Sequence, residues 1–192
     1  MRALLRSIPS LLILTLLAAC AVQKPRPPSA PVPPPTTGPT PSSITVNGYE
    51  QKIVEATNAF RAQNGLNPLK PKVQLIVVAQ NHARNMARQD KFGDSDRNGH
   101  ILDGHNFEYR IEASGYSFER AAENVGYQRV RGDPVAAMME GWKDSPGHRR
   151  NMLTPDITEI GVGAAQGKSG RWYFVQVFGR PQPLAKQTML DE

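Results

Sequence analysis

Glu159-Ile-Gly-Val-Gly163 and Tyr173-Phe-Val-Gln-Val-Phe-Gly179 close the chain, and they decide its class. In 158–165, Ile160, Val162 and Ala164 alternate with smaller or polar neighbours. The run 171–179 is rich in aromatic and β-branched residues. Both patterns predict strands, and Gly167-Lys168-Ser169-Gly170 predicts the turn of a hairpin between them. Every long segment upstream is helical instead. Ile53, Thr57 and Phe60 recur at helical spacing in 49–64, with Gly65 as a stop. Leu75, Val78, Ala79, His82 and Met86 lie along one face of 73–90. Phe107, Arg110 and Ile111 are in phase over 107–114. Asp133-Pro134 pairs an N-cap with a proline at the first helical position, ahead of a stripe of Val135, Met138, Met139 and Trp142. Glu140 falls about 140° from Val135 and is expected in solvent. Helices first and a hairpin last predict an α+β or layered α/β/α domain, not a Rossmann alternation.

The N-terminal third is built differently. Arg2 and Arg6 precede an apolar run over 8–19 that is too short to span a bilayer. Small residues then lead to Cys20, the only cysteine. This resembles a bacterial lipobox: residues 1–19 are read as a lipoprotein signal peptide and Cys20 as the lipidated N-terminus. A lone cysteine allows no internal disulfide and, once acylated, no thiol nucleophile. Residues 20–45 form a proline-rich linker whose X-Pro pairs favour extended polyproline II. The expected domain is 46–180, with 181–192 as a tail. The net charge of +6 is spread out, and no basic run interleaves with aromatics, so nucleic acid is not an expected partner. The expected partners are the membrane, through Cys20, and an envelope ligand. A monomer is expected, exported and anchored to the cell envelope.

Two short segments hold groups capable of chemistry. Glu123 lies in Ala122–Tyr127 and His148 in Gly141–Leu153, and each is read as sitting in a glycine-punctuated turn. His100 and His105 lie in 91–106, which lacks periodicity and is read as a loop. Their spacing matches half of a zinc motif, but no cysteine pair accompanies it. His82, on an apolar helix face, is read as a core imidazole with one hydrogen bond. Imidazoles with a carboxylate suit a divalent cation such as zinc, or acid–base work, or simple loop support. The spacing does not choose among these. Ser145 and His148 invite a nucleophile reading, but no Gly-x-Ser-x-Gly elbow is present.

Residues 50–179 resemble the bacterial branch of the CAP superfamily, which comprises cysteine-rich secretory proteins, antigen 5 and plant pathogenesis-related proteins. The resemblance rests on Asn58-x-x-Arg61 with Gly65-Leu66, on His82-Ala83-x-x-Met86, and on Arg110-Ile111 with Gly115-Tyr116. It rests further on Glu123-Asn124-Val125, Trp142-x-x-Ser145-Pro146-Gly147-His148, Gly161-Val162-Gly163 and Val175–Gly179. It implies an α/β/α sandwich with a central antiparallel sheet and a cleft holding two His and two Glu. Glu123 and His148 match two of these four. His100 matches the first His, because it precedes Asp103-Gly104, with His105 as the runner-up. The second Glu position holds Ser145. The neighbouring Asp144 is turned by about 100°. The family hosts several roles, so the resemblance leaves open a binding module for a lipid or envelope ligand, a hydrolase using His100, Glu123 and His148, or an adhesion protein.

Overall fold

The computed structural model describes residues 47–94 and 99–183, all within the compact unit Pro41–Glu192. The readings on 1–19, on Cys20 and on nearly all of the linker and tail lie outside the described residues. Helix α1 (Gly48–Gln63) begins at a capping box: Asn47 accepts from the Tyr49 and Glu50 N–H groups, and Glu50 accepts from the Asn47 N–H. Helices α2 (Val73–Gln89), α3 (Phe107–Ala113) and α4 (Pro134–Asp144) fall where periodicity and caps place them. Helix α5 (Pro146–Met152) follows α4 directly, because Pro146 opens a new helix.

Four strands form one sheet in the order β1 (Lys70–Pro71), β3 (Glu159–Gln166), β4 (Trp172–Pro181), β2 (Phe118–Gln128). β3 and β4 make the expected hairpin, and β2 pairs antiparallel with β4. The two-residue β1 runs parallel to β3, so the antiparallel sheet has one short parallel edge.

Strand alternation divides the core into two layers. Ile160, Val162, Phe174 and Phe178 pack with Ile53 and Phe60 of α1, with Met138, Met139 and Trp142 of α4, and with Met152 of α5. On the other face, Tyr173, Val175, Val177 and Val125 pack with Leu75, Val78, Ala79 and Met86 of α2 and Ile111 of α3. This is an α/β/α sandwich. Glu140 is exposed, as its position on α4 requires.

Two glycines set the depth of the α2 layer. A Cβ on Gly161 would lie 2.0 Å from the Leu75 carbonyl carbon, and one on Gly163 would lie 2.3 Å from that of Ala79. The backbone of α2 therefore rests directly on β3. Helix α5 is held by Arg61, which is 1% exposed. Its guanidinium donates to the carbonyls of Asn67 (2.8 Å), Met152 (2.7 Å), Thr154 (3.0 Å) and Ile157 (3.4 Å).

Overpacking a rigid contact costs about 1–3 kcal/mol, and more where backbone is struck. Gly161→Ala should therefore destabilise the protein by about 3 kcal/mol or prevent folding. Gly48→Ala, where nothing lies within 4 Å of the added carbon, should change stability by less than about 0.5 kcal/mol. Urea unfolding of both variants checks this, and equal midpoints would refute the contact.

Candidate functional site

Glu123 is not in a turn. It sits in the middle of β2, opposite Val177 of β4. Polar residues at 123 and 124 hide the strand from a hydrophobic pattern, because each is buried against polar partners instead of apolar ones. β2 is the outer strand of the sheet, and its alternation sends Glu123 to the α3 side and Asn124 to the α5 side.

On the α3 side the Glu123 side chain is fully buried. Arg110 Nη2 donates to both of its oxygens, at 2.9 and 2.8 Å. His100 Nδ1 donates to Oε1 at 3.0 Å. A carboxylate only accepts, so Nδ1 carries the hydrogen, and the neutral ring keeps its lone pair on Nε2. The His100 side chain is 31% exposed, so it stands between the buried carboxylate and solvent. Arg110 Nη1 also donates to the carbonyls of His100 (3.0 Å) and His105 (2.8 Å). One guanidinium thus fixes both the carboxylate and the loop bearing the imidazole.

The loop is anchored a second time beside His100. His82, buried on α2, donates from Nε2 to the Gly99 carbonyl at 2.6 Å. Its burial disfavours the charged ring and lowers its pKa. Gly99 has φ +77, and a Cβ there would lie 2.7 Å from Phe92 and 2.8 Å from Val125. The expected core role of His82 holds. His105 is exposed and stacks on Tyr109 at 4.3 Å, so the structure pairs His100 with Glu123 and not His105.

On the α5 side, Asn124 donates to the His148 carbonyl at 3.1 Å and to Gln176 Oε1 at 3.0 Å. Asn151 donates to Asn124 Oδ1 (2.9 Å) and to the Glu123 carbonyl (3.2 Å). Gln176 continues the chain to Thr57 of α1 at 2.7 Å. His148 lies in the first turn of α5, near Trp142. Its pKa is lowered, first by burial and then by the charge His100 would carry.

Ser145 sits at the α4–α5 junction, and its side chain makes no capping bond. Asp144 is exposed and lines a groove beside Lys52 and Ala56 of α1. Neither restores a second carboxylate to the cluster. Among the described residues, no three His, Cys, Asp or Glu side chains stand together as a metal-binding group. Arg110 and His100 already engage Glu123. Two imidazoles remain, short of the three or four protein donors that zinc takes. The set as it stands does not fit a resident zinc ion.

Sequence reasoning missed Arg110 as a site residue, because it appeared only as a helix position in phase with two others and as part of the Arg110-Ile111 motif, with no partner to mark it. Asn124 and Asn151 were likewise visible only within motifs.

Residues 54–178 match the model of the CAP family, described as the cysteine-rich secretory protein family. The chain belongs to the CAP family. The CAP chain is 33% identical to protein YkwD of Bacillus subtilis (strain 168) over 146 residues, which is 76% of this chain and 52% of YkwD. It is also 33% identical to the membrane protein YlbC of the same strain, over 67% of this chain and 34% of YlbC. It therefore spans about half of the one and a third of the other. Among solved structures, an extracellular protein containing an SCP domain from Bacillus anthracis str. Ames aligns with TM-score 0.56 and 32% identity, over 70% of this chain and 41% of that one. An outer surface protein from Borrelia burgdorferi aligns with TM-score 0.62 and 21% identity, over 72% of this chain and 97% of that one, and shares the fold.

Removing one partner of a buried ion pair leaves an uncompensated charge and costs about 3–5 kcal/mol. Arg110→Met should lower stability by about 3 kcal/mol in chemical denaturation. Adding Glu123→Gln should recover part of that loss. A double variant no more stable than Arg110→Met would show that the pair is not the source.

Proposed function

We propose that this CAP protein is an exported, lipid-anchored binding module of the cell envelope. The cleft around His100 and His148 would take a small ligand with an apolar body and a polar group, such as a lipid or an envelope component. The observation behind this reading is the engagement of Glu123. Its oxygens are held by Arg110 and His100, so it orients His100 and is not a free general base. Ser145 occupies the position of the second family carboxylate. What the site offers a ligand is the outer edge of the His100 ring and the half-buried His148, with the fully buried Trp142 as a floor behind His148.

The lipobox-like end at Cys20 and the proline-rich segment after it support an anchor with a spacer. One acyl chain binds membranes marginally, so stable anchoring takes more than one. In detergent phase separation, the protein made in a bacterial host should enter the detergent phase and Cys20→Ser the aqueous phase. Equal partition of the two would remove the anchor from the reading.

A second reading rests on the His100–Glu123 hydrogen bond, which suits Nε2 to proton transfer in a hydrolase. The two diverge in one experiment. Solvent extracts of purified protein, analysed by mass spectrometry, should contain a retained small molecule that is lost in His100→Ala. The same preparations should turn over no peptide or ester. Turnover by the wild type that disappears in His100→Ala, with no retained molecule, would favour the hydrolase.

A further inference from the structure

The opposite edge of the sheet holds a second polar cluster, remote from His100. β1 covers β3 only as far as Ile160, whose carbonyl accepts from the Lys72 N–H at 2.9 Å. At Ala164 the capping box of α1 takes the place of a strand. The Ala164 N–H donates to Glu50 Oε1 at 3.1 Å, and Asn47 Nδ2 donates to the Ala164 carbonyl at 3.2 Å. Along an antiparallel strand, alternate residues turn their main-chain groups the same way. Val162 therefore points its N–H and carbonyl away from β4, between the two covered positions. Among the described residues, no hydrogen bond reaches either group from that side. Val162 lines a pocket of about 260 Å³ together with Glu50, Gln51, Val54, Pro71, Ile76 and Ile160.

Glu50 gives that pocket a charge. It is 2% exposed. Oε2 accepts from the Asn47 N–H and from Gln80 Nε2, both at 2.9 Å, and Oε1 accepts from Ala164. All three donors are neutral, and among the described residues no Lys, Arg or His forms an ion pair with it. A carboxylate offers about four lone-pair sites, and three are filled. The capping box explains why a Glu stands here. It does not explain why a buried carboxylate without a counter-ion borders an apolar pocket beside an unmet carbonyl. Buried charge is costly unless paired, so a cation of matching size is the complementary guest.

We propose that this pocket binds a small primary amine with an apolar tail. The ammonium would donate to Glu50 Oε1 and to the Val162 carbonyl, and the tail would lie against Val54, Pro71 and Ile76. An alcohol of the same length could bury the tail but not match the charge, and a carboxylate would be repelled by Glu50.

Amide spectra of the ¹⁵N-labelled protein, titrated at neutral pH with n-pentylamine, n-pentanol and pentanoate, test this. Pentylamine should shift the Val162 and Ala164 amides saturably, at least tenfold more tightly than pentanol, and pentanoate should not shift them. Glu50→Gln should abolish the preference for the amine. Val54→Phe, which fills the pocket and leaves the capping box intact, should abolish the shifts and keeps the test available if Glu50→Gln fails to fold. His100→Ala should leave the titration unchanged, which separates this site from the cleft at β2. Equal binding of amine and alcohol, shifts that survive Val54→Phe, or no saturable shift at Val162 would each overturn the proposal; the last would leave a water-filled pocket.

Discussion

A fully buried carboxylate on an outer strand governs this molecule. Glu123 cannot be left unpaired away from water, so a cation and hydrogen-bond donors must be brought to it. Arg110 answers from α3 and His100 from the loop before it. Because Arg110 also grips the His100 and His105 carbonyls, satisfying the charge also shapes the loop. The orientation of His100 is therefore a by-product of solvating Glu123 from within the protein.

Strand geometry doubles that effect. Consecutive residues of β2 face opposite layers, so Glu123 and Asn124 act on different halves of the sandwich. The Asn124 side chain holds the His148 carbonyl in the first turn of α5, and Asn151 near the end of that helix holds the Glu123 carbonyl and Asn124. Arg61 holds the far end of the same helix through carbonyls alone. The two imidazoles come from segments 48 residues apart in sequence numbering (100 and 148), and the edge of one strand relates them. On the other side of the sheet, Gly161 and Gly163 let α2 settle onto β3, and α2 in turn brings His82 to the loop beside His100.

Legibility followed the source of each signal. Helices α1, α2 and α4 were readable because apolar residues recur at 3.6 spacing and caps or turn residues mark their limits. The terminal hairpin was readable because its residues favour strands. β2 was not, because Glu123 and Asn124 are satisfied by partners far away in sequence, and polar residues in mid-strand imitate a turn. β1 was not, because a two-residue strand containing Pro71 has no pattern of its own. Glu123, His148 and His100 stood out in the sequence through motifs, and the structure brings His100 and Glu123 together. The choice of His100 over His105 became physical only with the 3.0 Å contact to Glu123.

The sequence by itself determined the layered class, the Asp133-Pro134 helix start and the residue types available for a site. These depend on local spacing and on what each side chain can do. Tertiary structure alone decided that Glu123 is spent on Arg110, that His100 turns Nδ1 to Glu123, and that Asp144 does not stand in for a carboxylate at Ser145. It also decided that, among the described residues, no strand covers Val162 beside Glu50. Each of these turns on which distant group fills a lone pair or faces a strand edge, and spacing along the chain does not encode that distance.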